Sequence, residues 1–215
     1  MLARVVRRTA TADGLDDVVV ATTSNPADDA VVQTCIQNGW HYFRGSENDV
    51  LDRYYHAAEK FLAEIVIRVT ADCPLIDPGV INRVMQAFFQ AKPDYASNTL
   101  KRTYPRGLDV EVMTSKCLTR AWREAIEPWQ RAHVTPYIYN NSKGFHILSV
   151  TGESDYSCHR WTVDTPDDLA FVNAVYARLS DPEDFSWNDV VSILSREPEL
   201  AEMNRGVAQK APTDY

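Results

Sequence analysis

The chain has 215 residues, 45% of them hydrophobic and 24% charged, with a formal net charge of −8. This composition is ordinary for a globular protein, and it is too acidic for a general nucleic-acid binder, which needs a basic surface. No apolar run approaches the ~20 residues of a membrane span. The four scattered cysteines form no C-x-x-C pair, which argues against a zinc site or a disulfide framework and for reduced thiols in a cytoplasm.

Leu2, Val5 and Val6 share one helical face and Arg4, Arg7 and Arg8 the other, an amphipathic helix stopped by Asp13-Gly14. An arginine-rich, acid-free start also occurs in transit peptides, but the segment continues directly into the fold and is read as part of it. Residues 17–23 read as a strand. Asn25-Pro26 reads as an N-cap with proline at the first helical position, opening a helix that ends at Gly39. Residues 40–43 are a short strand and 49–61 a helix. The run from Glu64 reads as a buried strand entering a turn at Asp72, and Asp77 before Pro78 reads as the N-cap of the next helix.

The order so far, α-β-α-β-α-β-α, implies an α/β fold with a doubly wound, mostly parallel sheet covered on both faces. The rhythm then changes. Short strands are expected at 95–98, 108–113, 145–150 and 160–163, with helices at 116–126, 130–139, 166–179 and 185–194. Residues 1–204 read as a single domain, residues 94–157 as a small α+β lobe inserted before the sheet resumes, and residues 205–215 as a flexible tail. Doubly wound folds open with a central strand, whereas this chain opens with a helix, so a first strand is absent and the sheet is expected to have a gap with unpaired backbone groups on both neighbours.

Two acidic positions carry the chemistry. Asp72 follows one strand, and Asp164 follows the expected strand at 160–163 and precedes Thr165-Pro166. A hard cation such as Mg²⁺ needs oxygen ligands, and open α/β sheets bind ligands beyond their strand ends. A turn residue for Asp72 and a helix-start residue for Asp164 are the competing readings. Arg68 lies inside an apolar strand and needs a buried carboxylate or a substrate phosphate. Arg53, on an amphipathic helix, reads as a solvated arginine and His133 as a structural histidine. Trp122, Trp129, Tyr137 and Tyr139 read as lobe or interface packing, and Cys73 as a small buried filler.

Seven phrases in order carry a family resemblance: VVATTSNPADD (19–29), FRGSENDVLDRY (43–54), RVTADCPLID (68–77), SNTL (97–100), YPRGLDVEV (104–112), RAHVTPYI (131–138) and WTVDTPDDL (161–169). Together they resemble the spore coat polysaccharide biosynthesis protein F group of the cytidylyltransferases, which include CMP-Kdo synthetase and acylneuraminate cytidylyltransferase. The resemblance implies a nucleotide-diphospho-sugar transferase-like fold and transfer of CMP from CTP to an acidic sugar for surface polysaccharide. By resemblance, Asp72 and Asp164 are the catalytic, Mg²⁺-holding aspartates, Asp49 and Arg53 lie near the nucleotide, and Tyr104, Asp109 and His133 face the sugar. A cytoplasmic homodimer joined through residues 94–157 is implied as well. The family's opening strand and its Gly/Arg/Lys-rich triphosphate loop have no match here. The expectation is a start at an internal methionine of a longer product, with a natural truncation of weak or no activity as the alternative. A nucleotide-sugar glycosyltransferase is a rival reading, though Ala71-Asp72-Cys73 is not the D-x-D it would need, and a non-catalytic scaffold is another.

Overall fold

Three short polar side chains start three helical segments in the first half of the chain. Asn25 accepts from the Ala27 N–H at 3.0 Å, Asp49 from the Asp52 N–H at 2.9 Å and Asp77 from the Val80 N–H at 2.9 Å. Each satisfies a backbone donor that the first turn leaves without a partner. The computed structural model describes residues 1–209. In chain order the elements are α1 (Leu2–Ala10), β1 (Val19–Thr23), a 3₁₀ turn (Pro26–Asp28), α2 (Asp29–Asn38), β2 (His41–Gly45), α3 (Val50–Lys60), β3 (Ile65–Arg68) and α4 (Pro78–Ala91). There follow β4 (Tyr95–Ser97), β5 (Glu111–Thr114), α5 (Ser115–Glu124), α6 (Pro128–His133), α7 (Pro136–Asn140), β6 (Ile147–Ser149), α8 (Pro166–Tyr176), α9 (Trp187–Arg196) and α10 (Glu199–Glu202). Gly39 closes α2 in the left-handed region at φ 68°.

The strands form two sheets: a parallel pair β1-β2, and a four-stranded sheet in the order β3-β5-β4-β6. In the larger sheet β5 is antiparallel to both β3 and β4, while β4 and β6 are parallel. Residues 94–157 supply three strands of this sheet, β4, β5 and β6. Alternation sorts the side chains to the two faces. Ile65, Ile67, Ala96, Val112 and Leu148 join the core formed with α1, α4, α8 and α9. Val66, Tyr95, Met113 and Ile147 turn to the other face, where Leu51 of α3, Leu118 of α5 and Ile138 of α7 cover them.

β1 and β3 are each paired along one edge only among the described residues. All four residues of β3 are half-buried, as is most of β1. The buried strand expected from Glu64 onward is thus shorter and wetter than its sequence implies, because no strand among the described residues pairs along its other flank.

Two further expectations change. Residues 160–163 form no ladder strand. The segment makes a single bridge, Arg106 with Arg160, and then crosses over: the Trp161 N–H donates to the Arg106 carbonyl at 2.6 Å and the Val163 N–H to the Asp72 carbonyl at 2.9 Å. It ties two loops together instead of extending a sheet. The helix expected at 130–139 is broken into α6 and α7 at Val134, whose φ is 73°. Pro136 has no N–H with which to continue the α6 ladder. α10 was not expected, and of the tail only residues 205–209 are described; residues 210–215 lie outside the described residues.

Candidate active site

The turn after β3 is held from within. Thr70 Oγ1 and Cys73 Sγ are 3.1 Å apart, and the Cys73 thiol donates to Asp72 Oδ1 at 3.3 Å. Cys73 is buried, as the small filler its sequence context implies, and burial pushes its thiol well above the usual range. Asp72 itself is half-buried, and its Oδ2 has no hydrogen-bond partner among the described residues.

Asp164 sits just before α8. Its backbone N–H donates to Asp168 Oδ2 at 3.1 Å, and Arg160 Nη2 donates to its Oδ2 at 2.5 Å. Asp168 is fully buried and accepts also from the Thr165 N–H and hydroxyl, from Arg160 Nε and from Asn204. With Thr165 it makes the capping box of α8. Burial alone would raise the Asp168 carboxyl, but the bonds from Arg160 and Asn204 outweigh it and hold the pKa down to about 2. Asp168 therefore anchors the loop, and Asp164 projects from it with no hydrogen-bond partner for Oδ1 among the described residues.

The bond from Val163 to the Asp72 carbonyl makes the two acidic loops adjoin, so Asp72 and Asp164 lie on backbone segments that touch. Each carboxylate keeps one oxygen without a hydrogen-bond partner among the described residues. Two such hard donors suit a cation that completes its shell with water and substrate phosphate. No group of three or more His, Cys, Asp or Glu side chains among the described residues forms a metal cage of its own.

The other expected site residues are more committed. Asp49 caps α3 through Oδ1 and takes an ion pair from Arg131 Nε at 2.6 Å through Oδ2. Arg53 donates through Nη1 to the Ser46 carbonyl at 2.7 Å, while its buried Nε has no partner among the described residues. Burial, reinforced by the nearby Arg68 charge, lowers the pKa of its guanidinium despite Tyr54 and Asp28. Asp109 is gripped by Arg102 through two bonds, of 2.5 and 2.9 Å. His133 is the last residue of α6 and half-buried. Tyr104, only 3% exposed, packs edge-on against Trp187 at 5.6 Å in the main core.

Two partnerships lay beyond sequence reasoning. Glu111, opposite Arg68 in the β3–β5 ladder, ion-pairs with it and accepts from the Tyr95 hydroxyl at 2.5 Å and the Thr135 hydroxyl at 2.6 Å. Arg131 links Asp49 to the carbonyls of Trp122 and Ala125, joining α3 to the α5–α6 turn. The demand for a partner to Arg68 was readable; which acid would answer it was not. Trp122 packs as expected, stacked on Tyr55 with centroids 4.0 Å apart.

Residues 1–178 match the cytidylyltransferase family. The chain belongs to that family. It is 31% identical over 189 residues to the spore coat polysaccharide biosynthesis protein SpsF of Bacillus subtilis (strain 168), covering 86% of this chain and 78% of that protein. A solved cytidylyltransferase from Leptospira borgpetersenii serovar Hardjo-bovis (strain JB197) superposes with a TM-score of 0.89 at 29% identity, over 98% of this chain and 87% of the other. The CMP:2-keto-3-deoxy-manno-octonic acid synthetase complexed with CTP shares the fold, with a TM-score of 0.62 at 19% identity over 82% of this chain and 87% of that one. Membership places the chain among the CTP-utilising nucleotidyltransferases, and the mixed α/β fold agrees with it. No helix among the described residues is long and apolar enough to cross a membrane.

Proposed function

We propose that this cytidylyltransferase transfers CMP from CTP to a hydroxyl of an acidic sugar, supplying an activated sugar for surface polysaccharide. The sugar oxygen bonds to the α-phosphorus, the bond from that phosphorus to the bridging oxygen breaks, and pyrophosphate leaves with the electron pair while the hydroxyl proton passes to solvent. Such transfers depend on positioning and charge neutralisation more than on covalent chemistry. The observation that carries the reading is the contact of the Asp72 and Asp164 loops through Val163, within a chain of this family.

Asp72 and Asp164 would hold Mg²⁺ by their unpartnered oxygens. The chemistry Mg²⁺ supplies there is neutralisation of the charge that develops on the phosphates. Arg160 orients Asp164, and Asp168 fixes the turn that presents it. Arg53, with its buried unpartnered Nε, would meet the nucleotide from α3. Asp49 acts from behind, as the cap of α3 and the anchor of Arg131. Asp109 and His133 would face the sugar. A cytoplasmic homodimer through residues 94–157 completes the reading, and the mass in sedimentation equilibrium tests that part.

The test is release of pyrophosphate from CTP in the presence of Mg²⁺ and a panel of 2-keto sugar acids. Asp72→Ala and Asp164→Ala are each expected to slow it about 10²–10³-fold, the usual loss when one preorganised electrostatic group is removed, with the circular dichroism spectrum unchanged. Rates within twofold of the parent protein in both variants would end the two-aspartate account.

A further inference from the structure

Arg8 lies on the face of α1 that the sequence assigns to solvent, yet it is only 4% exposed. Its Nε donates to the Ile76 carbonyl at 2.6 Å and its Nη2 to the Phe185 carbonyl at 2.9 Å, and its guanidinium lies 3.5 Å from the centre of the Phe185 ring. Asp77 Oδ2 stands 3.9 Å away, and that carboxylate already accepts from the Val80 and Trp187 N–H groups. Taking an arginine out of water with so loose a counter-charge is costly, and apolar side chains of similar volume often serve stability as well or better. What the arginine adds is a fixed backbone carbonyl.

That carbonyl belongs to the turn that presents Asp72. Residues 73–77 are buried, and Asp72 stands half-buried at their head. Buried backbone needs partners for its carbonyls, and here they come from far along the chain. The Val163 N–H donates to the Asp72 carbonyl at 2.9 Å, the Tyr176 hydroxyl to the Pro74 carbonyl at 2.7 Å and Arg8 to the Ile76 carbonyl. A local bond from the Ile76 N–H to the Cys73 carbonyl, at 3.0 Å, tightens the turn. Tyr176 is the last residue of α8, whose first turn is capped by Thr165 and Asp168 beside Asp164. One helix thus grips the Asp72 turn from one end and carries Asp164 at the other. Tyr176 is held in its turn: its ring meets Phe185 edge-on at 5.7 Å, and the Arg4 guanidinium lies 4.7 Å over it.

We infer that Tyr176 and Arg8 are positioning residues for the transfer reaction: by fixing the Pro74 and Ile76 carbonyls they set where Asp72 stands relative to Asp164. Each acts through the turn rather than on the substrate. Two carboxylates share a small hard cation only within a narrow range of geometry, since Mg²⁺ demands near-ideal octahedral coordination. A supporting shell that is loose by about 1 Å is enough to spoil such a site. The inference rests on the proposed pairing of Asp72 with Asp164, whereas the rigidity of the turn is measurable without metal or CTP.

Tyr176→Phe decides the matter, because it removes one hydroxyl and keeps the ring. Arg8→Lys, which keeps the charge and loses the fork, should act in the same direction where a thermal melt shows it folded. In metal-free protein, amide hydrogen exchange at Ile76 and Val163 is expected to quicken about three- to tenfold in Tyr176→Phe, the contribution of one hydrogen bond, while exchange at Val112 in β5 stays as in the parent protein. In the pyrophosphate-release assay kcat should fall by a similar factor and the Mg²⁺ concentration for half-maximal rate should rise, with the KM for CTP within about twofold. Both kinetic effects should vanish when Tyr176→Phe is added to Asp72→Ala, because the side chain that the turn positions is then gone; a merely structural tyrosine would slow both backgrounds alike. Unchanged exchange at Ile76 and Val163, faster exchange with unchanged kcat, or a loss of rate that persists in Asp72→Ala overturns the inference. Asp72→Ala at the parent's rate instead sinks the pairing of the two aspartates, and the inference falls with it.

Discussion

Arg68 and Glu111 are Cα partners across the β3–β5 ladder, and their side chains close an ion pair with only 18% and 7% of their surfaces exposed. Burial works against the Arg68 charge, but Glu111 overcomes it and raises the guanidinium above its ordinary range. The same carboxylate takes the hydroxyls of Tyr95 and Thr135, so it joins β3, β4 and the α6–α7 break at one point. Removing one partner of such a pair leaves an uncompensated buried charge and costs about 3–5 kcal/mol. Glu111→Gln is therefore expected to lower stability by that amount in urea unfolding. The paired replacement Arg68→Met with Glu111→Leu should recover a large part of it. A loss below about 1 kcal/mol in Glu111→Gln, the value of a solvated surface pair, would show that the pair does not hold the ladder.

What the sequence reveals depends on the range of the interaction that decides each feature. Helix starts are legible because a cap acts over three residues, and Asn25 and Asp77 each bond where their sequence context places them. Asp72 and Asp164 stand out as acids in turns after apolar runs, yet the contact that makes their loops adjoin, Val163 to Asp72, spans residues with no local pattern between them. The 160–163 segment is apolar enough to read as a strand, but its backbone bonds go to two different loops, and period-2 patterning carries no information about which neighbour answers. Tyr104 lies in a phrase associated with the sugar, and its packing against Trp187 has no local signal in the sequence. Asp168 was within reach of sequence, since Thr165 followed three residues later by an acid is a capping-box pattern; its further bonds to Arg160 and Asn204 were not.

Gly107 is needed for two reasons that act together. Its φ of 108° lies where side-chain-bearing residues are strained, and the space for a Cβ is taken by Trp161 and Thr162 backbone atoms at 2.7 and 2.8 Å. Backbone cannot step aside as a flexible side chain can. Gly107→Ala is expected to cost about 1–3 kcal/mol in stability from strain alone and to loosen the clasp between Arg106 and residues 159–161. The measurement is a urea unfolding curve together with amide hydrogen exchange at Trp161, whose N–H is bonded to the Arg106 carbonyl. Faster exchange at Trp161 with the rest of the core unchanged is the expected signature, and unaltered stability with unaltered exchange would refute the packing argument.

Asp168 gives the loop before α8 a defined acid sensitivity. Its carboxyl is fully buried and held down to about 2 by Arg160, Asn204 and the Thr165 and Asp164 backbone, against the opposing effect of burial. An acid whose folded pKa lies below its unfolded value of about 3.9 stabilises the fold above that value, and the contribution fades as pH falls toward the folded pKa. The displacement is worth about 2 kcal/mol at neutral pH. Asp168→Asn should lose about that much at pH 7. Its urea-unfolding curve should then converge on that of the parent protein as pH is lowered from 4 to 2, because the parent protonates the same group there. Asp164, half-exposed and bonded to the same arginine, should lose order with it. Asp168→Asn should therefore also weaken Mg²⁺-dependent pyrophosphate release at pH 7, although Asp168 would touch neither metal nor substrate. A stability gap that stays constant from pH 7 down to pH 2 would show that the aspartate acts through its shape and neutral hydrogen bonds rather than through its charge.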